Sequence, residues 1–153
     1  MSEHGRSETK KPRLVGINHI ALEVGNIDEA LEFYGKIFEF KLRGKRPGNG
    51  FIDMGDQFIN LIESPTAHVD DRRHFGLVVD DRSTVRARAE AAGAQLPPGP
   101  FLRILDPWGN RLEIVEYRDI QFTKASHILR GMGLDLDKSE SAKKELAEKG
   151  LAP

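Results

Sequence analysis

The chain has 153 residues, of which 39% are hydrophobic and 31% charged, with a formal net charge of −1 and no cysteine. That length suits one globular domain with a core of its own, and the near-neutral charge argues against a general nucleic-acid binder, which carries a basic surplus. Without cysteine there are no disulfides, thiolate metal sites or cysteine nucleophiles, so any metal must be held by nitrogen and oxygen.

No apolar run is long enough to span a bilayer; Ile17 to Val24 comes nearest and is interrupted by Asn18, His19 and Glu23. No signal-peptide pattern is visible, and the expected location is cytoplasmic. Residues 1–13 are polar and aperiodic and are read as a disordered leader. Ile17 to Val24 then suits a strand, with Ile17, His19, Ala21 and Glu23 on one face. Its other face, Asn18, Ile20, Leu22 and Val24, is mostly apolar and offers a surface for a helix. That helix follows from Asn26, an N-cap with Glu29 three residues on, and carries Ile27, Ala30, Leu31, Tyr34, Ile37 and Phe38 at helical spacing. A short strand from Phe40 to Arg43, a loop from Gly44 to Gly50, and strands Phe51 to Met54 and Gln57 to Glu63 complete a βαβββ unit. The basic clusters Lys41-Leu42-Arg43, Lys45-Arg46 and Arg72-Arg73 are read as solvated surface.

The same order then repeats. Arg73 to Val79 reads as a strand, Asp81 to Ala92 as a helix ending at Gly93, Ala94 to Leu96 as a short strand, and Phe101 to Leu105 with Arg111 to Tyr117 as a hairpin across Asp106-Pro107-Trp108-Gly109-Asn110. Sliding the chain by 55 residues lays His19 on His74, Leu22 on Leu77 and Val24 on Val79, and a slightly smaller shift lays Asn60-Leu61-Ile62-Glu63 on Glu113-Ile114-Val115-Glu116. Two such matches in corresponding strands suggest internal duplication. The expected fold is α+β: two tandem βαβββ modules forming a curved mixed sheet around a metal-binding hollow over residues 14–118, plus a helical C-terminal extension over 119–153. Helices are expected there at Phe122 to Leu129 and Asp137 to Lys149.

Duplication puts His19 and His74 at equivalent points on the face away from the helices, and Glu113 faces the same way on the last strand because Leu112 and Ile114 claim the helix side. Two imidazoles and one carboxylate form the donor set of open catalytic metal sites and suit one divalent ion such as Fe, Mn, Zn, Ni or Co. A single strand histidine is more often a hydrogen-bonded core residue, and a single strand-end glutamate is usually solvated. The coincidence of all three favours metal.

The segments Ile17-Asn18-His19-Ile20-Ala21-Leu22, Leu31-Glu32-Phe33-Tyr34, His74-Phe75-Gly76-Leu77 and Asp106-Pro107-Trp108-Gly109-Asn110-Arg111-Leu112-Glu113 resemble the vicinal oxygen chelate superfamily. That group includes glyoxalase I, extradiol ring-cleaving dioxygenases, methylmalonyl-CoA epimerase, fosfomycin-modifying enzymes and bleomycin-binding proteins. The resemblance implies that His19, His74 and Glu113 occupy three family metal positions and Asn60 the fourth. Glyoxalase I and the epimerase carry Glu or Gln there, one methylene longer. Extradiol and fosfomycin enzymes manage with two His and one Glu, although the latter have a Thr where this chain has Ala21. Bleomycin binders lack the triad. The resemblance also implies a homodimer, some members building each site from both subunits.

Other residues are candidates for the hollow. Arg103, on the face of Phe101, is either a partner for an anionic substrate group or an exposed arginine. Tyr117 is an acid or hydrogen-bond donor, or packing; Glu23 is a second base, or solvated. His68 and His127 are read as structural or exposed. The expected function is metal-dependent chemistry on a small molecule chelated through two neighbouring oxygens, with no nucleic-acid or membrane partner. Asn60 ranks an extradiol-type dioxygenase first and a glyoxalase-like lyase or isomerase second, although neither half supplies a further histidine behind the ligands for the dioxygenase route. A non-catalytic protein that binds a small molecule or drug is the alternative from another class.

Overall fold

The computed structural model describes residues 17, 19–66, 68–70 and 73–152; the expected leader and Asn18 of the expected first strand lie outside them. Strand β1 (His19–Val24) is followed by helix α1 (Ile27–Ile37) and strands β2 (Leu42–Arg46), β3 (Asn49–Asp53) and β4 (Phe58–Glu63). They form a mixed sheet of order β1-β4-β3-β2 in which β1 and β4 run parallel and the other pairs antiparallel. The second half has β5 (Phe75–Val79), α2 (Arg82–Ala91), β6 (Arg103–Leu105) and β7 (Arg111–Glu116), in a sheet of order β5-β7-β6 with β5 parallel to β7. A 3-10 turn (Tyr117–Asp119) leads to α3 (Ser126–Gly131) and α4 (Glu140–Glu148). None of the helices among the described residues is long and apolar enough to cross a membrane.

The expectation of one curved sheet is corrected: the strands divide into two sheets. The expected strand Ala94 to Leu96 contributes only an isolated bridge, Gln95 with Leu105, because Pro97 and Pro98 follow at once and cannot donate to a ladder. Where a loop was expected from Gly44, β2 extends to Arg46 with a bulge between Leu42 and Gly44, and the turn narrows to Pro47-Gly48, with Gly48 at φ 77°. Both tail helices are shorter than expected, and α4 is capped by Ser139 rather than Asp137.

Each half is built by the same devices. Asn26 Oδ1 accepts from Glu29 N at 3.0 Å at the start of α1, and Asp81 Oδ1 accepts from Thr84 N at 3.1 Å at the start of α2. A glutamate from the last strand of each unit adds a second cap, Glu63 to Ile27 N at 3.3 Å and Glu116 to Arg82 N at 3.2 Å. Leu22, Val24, Ile52, Ile59 and Leu61 bury one sheet face under Ile27, Ala30, Phe33 and Ile37; Leu77, Ile104, Leu112 and Ile114 do so under Val85 and Ala89.

Asp81 also shows how α2 responds to acid. Hydrogen bonds from Ser83, then Thr84, lower its carboxyl from 3.8 to about 2. A depressed carboxyl contributes stability that is present above the unfolded value and lost as pH falls from there through about 2. Asp81→Asn is expected to flatten that part of the acid limb of a denaturation curve measured against pH, and an unaltered limb would refute the assignment.

The halves meet where α1 touches α2 and where the β6–β7 turn reaches back to β1. Tyr34 Oη donates to Asp106 Oδ2 at 2.7 Å inside the protein. Asp106, only 4% exposed, also accepts from the backbone N of Trp108 and Asn110 and from Asn110 Nδ2, which in turn donates to Glu23 O at 2.7 Å. Trp108 lies so close to Gly25 that a Cβ there would stand 2.5 Å from Nε1. The tail is tied to both halves: Lys124 pairs with Asp56 in the β3–β4 turn, whereas Lys138 Nζ donates to the carbonyls of Tyr117, Ile120 and Phe122.

Candidate functional site

With one face of each sheet sealed by helices, the alternation of strand side chains sends a defined set to the other face. His19, Ala21 and Glu23 of β1 are exposed, opposite Phe58, Asn60 and Ile62 of β4. In the second sheet Gly76 of β5 lies opposite Glu113 of β7, and His74 stands two residues before Gly76. The strand registers are therefore equivalent: Ala21, two beyond the first histidine, faces Asn60, and Gly76, two beyond the second, faces Glu113.

His74 and Glu113 come together. Nε2 of the histidine and Oε2 of the glutamate are 3.7 Å apart. Two donors at about 2.1 Å from a shared ion stand about 3 Å apart, so a small side-chain rotation would let this pair hold one. Arg103, opposite Glu113 in the register, donates from Nε to the same oxygen at 3.2 Å, and its guanidinium lies 5.7 Å from the ring centroid of Phe101, which is 52% exposed. Arg103 thus holds a metal-ligand candidate rather than standing alone as an anion receptor.

His19 belongs to the other sheet. Its ring stacks on Phe58 with centroids 4.7 Å apart and planes 9° from parallel, and Arg43 lies 4.5 Å from the same phenyl centroid. Among the described residues no three His, Asp or Glu side chains gather closely enough to hold one ion. Asn60 Oδ1 accepts from Asn49 Nδ2 at 3.2 Å, so its amide oxygen is already engaged.

Two expected participants are placed elsewhere. Tyr117 opens the 3-10 turn after β7 and is 5% exposed, with Lys138 Nζ 3.5 Å from its ring centroid. Its backbone leaves the strand at Glu116, so the alternation that would have aimed it at the open face ends one residue earlier. Glu23 does share the open face, but four residues of strand put it about 13 Å from His19 along β1. His68 and His127 are exposed. The aromatic neighbour of His19 was missed from sequence, although Phe58 alternates with buried Ile59 and Leu61 and could have been placed by that pattern.

The family model that matches residues 16–114 is that of the Glyoxalase/Bleomycin resistance protein/Dioxygenase superfamily. The chain belongs to this superfamily. An uncharacterized protein of Pseudomonas aeruginosa is 29% identical over 119 residues, 63% of this chain and 85% of that one. The fosfomycin resistance protein FosX from Listeria monocytogenes, solved with Mn(II) and a dihydroxypropylphosphonic acid, superposes with a TM-score of 0.59 at 17% identity over 67% of this chain and 90% of its own. A lactoylglutathione lyase from Agrobacterium tumefaciens gives 0.54 at 25% identity over 70% and 96%. As a member of the glyoxalase/dioxygenase superfamily, the chain shares an architecture whose members act on different small molecules, and the reading of its own site rests on its own residues.

Proposed function

We propose that the protein is a metal-dependent enzyme that binds a small substrate through two neighbouring oxygens, with His74 and Glu113 of one chain and His19 of a second copy holding the ion. The carrying observation is the approach of His74 and Glu113 on an open sheet face, with His19 at the equivalent register of the other sheet. The strands beside these histidines, β1 and β5, are both sheet edges, along which a second copy can lie. A donor set of two imidazoles and a carboxylate suits Fe, Mn, Zn, Co or Ni. When bound, the ion would supply Lewis acidity and, as Fe(II), room for O₂.

The chain's residues have distinct parts. Phe58 fixes the plane of the His19 ring, and Arg103 holds one oxygen of Glu113 so that the carboxylate meets its ion in one orientation. Asn60, whose oxygen accepts from Asn49 and whose side chain is a methylene short of Gln, is read as a substrate contact rather than a fourth ligand. That leaves three protein ligands and favours extradiol-type ring cleavage. Likeness to a lactoylglutathione lyase supports a lyase or isomerase as the second reading. Glu23 and Tyr117 have no part in this scheme, given their positions.

Protein purified without oxygen or chelators is expected to carry about one divalent ion per chain. With iron, it is expected to consume O₂ in the presence of catechols. Stoichiometric metal without uptake would move the reading to the lyase or isomerase. A chain that takes up no metal would instead be a small-molecule binder.

A further inference from the structure

On the open face of the first sheet Arg43, Arg46 and Phe51 have no part in the metal reading, and they adjoin Phe58 and Asn49, which do. Phe51 and Phe58 pack edge to face, with centroids 6.0 Å apart. Arg43 lies over Phe58 at 4.5 Å and Arg46 over Phe51 at 5.4 Å. Arg46 Nε also reaches Asn49 Oδ1 at 3.4 Å, and Asn49 in turn holds Asn60. Of the basic residues Lys41, Arg43, Lys45 and Arg46, read from sequence as solvated surface and all exposed, Arg43 and Arg46 lie over these two rings, of which Phe58 also stacks on His19.

The partners of these cations are informative. Lys45, between them, turns the other way to Asp28, and Arg73 and Arg103 each have a carboxylate. Among the described residues, neither Arg43 nor Arg46 forms an ion pair with a carboxylate. A guanidinium stacked on a ring keeps its in-plane N–H donors for a planar or tetrahedral oxyanion. Two such groups on adjoining rings repel one another until an anion lies between or beside them. The rings themselves offer an apolar surface for the ligand's body.

We infer that Arg43 and Arg46, supported on Phe58 and Phe51, form an anion subsite for a small organic oxyanion whose apolar part lies on the two rings. As a subsite for the metal-chelated substrate it rests on the reading above, so it is tested with metal absent. The metal-stripped chain is titrated by calorimetry with phenylphosphonate, benzoate and neutral benzamide. The anions are expected to bind and benzamide is not; whichever anion binds more tightly identifies the preferred head group. Arg43→Met should weaken the anion about tenfold, the loss of one charge-assisted contact, and Arg46→Met should weaken it by a smaller factor. Arg86→Met, an exposed arginine of α2, should leave affinity unchanged. Melting temperatures of the variants confirm that each is folded, and Arg46→Met carries the test if Arg43→Met is not. Absence of anion binding, equal binding of benzamide, or the same loss from Arg86→Met would overturn the inference. None of these results bears on metal content, which is measured separately on His19, His74 and Glu113 variants.

Discussion

Asp106→Ala is expected to destabilise the protein by about 3 to 5 kcal/mol, since several buried neutral donors lose their acceptor at about 1 to 3 kcal/mol each, in part relieved by the loss of a buried charge. For a chain of this length that is on the order of a 10 °C drop in melting temperature. The carboxylate is almost wholly enclosed and accepts from Tyr34, from the backbone N of Trp108 and Asn110, and from the Asn110 side chain. Removing it strands several donors at once in the joint between the two halves. Tyr34→Phe should cost less, about 1 kcal/mol, since Asp106 keeps its other donors. Burial first, and then the charge and hydrogen bond of Asp106, hold the Tyr34 hydroxyl protonated well above the ordinary phenol value. Denaturant unfolding of the two variants beside the parent measures both effects. Near-equal stability of Asp106→Ala and the parent would show that the halves are held by other contacts.

The second large effect tests the proposed metal site. His19→Ala and Glu113→Ala chains are each expected to lose their ion when prepared alone. Refolded together in equal amounts, they should regain some of it. Random pairing makes half of the dimers mixed, and one of the two sites in each would have an intact set, so about a quarter of the sites should recover. If all three ligands met within one chain, mixing would restore nothing. Elemental analysis of the mixture, beside each variant alone, separates the two arrangements. Failure of both single variants to lose metal would remove these residues from the site altogether.

Much of this architecture is legible in the residues. The alternation of Leu22 and Val24 with His19, Ala21 and Glu23 places one face of β1 under a helix and the other in the open, and the 55-residue offset of the histidines, with the slightly smaller one from Asn60 to Glu113, anticipates matching strand pairs. The cap at Asn26 and the turn at Asp106 to Asn110 follow from short-range chemistry. What is not legible depends on contacts between distant segments. Nothing local to Arg103 tells whether its partner is a substrate or Glu113, since the pairing depends on the register of β6 against β7. Tyr117 takes the packing role of its two readings because the strand alternation ends one residue before it, where the chain turns. The division into two sheets likewise depends on how far the edges of β1 and β5 stand from one another, which no single stretch encodes.

The join between the halves bears on how such chains are classified. Tyr34, Asp106, Trp108 and Asn110 lie in the segments by which this sequence resembles its relatives, and they act on one another or on the backbone of β1. These four residues hold the halves together at this seam and say nothing of what the protein does to a substrate. Arg43, Asn60 and Gly76 lie outside that seam, on the open side of the two sheets proposed to meet a ligand. Under the proposed reading, those positions rather than the seam would divide relatives by cargo and guide which compounds to assay first.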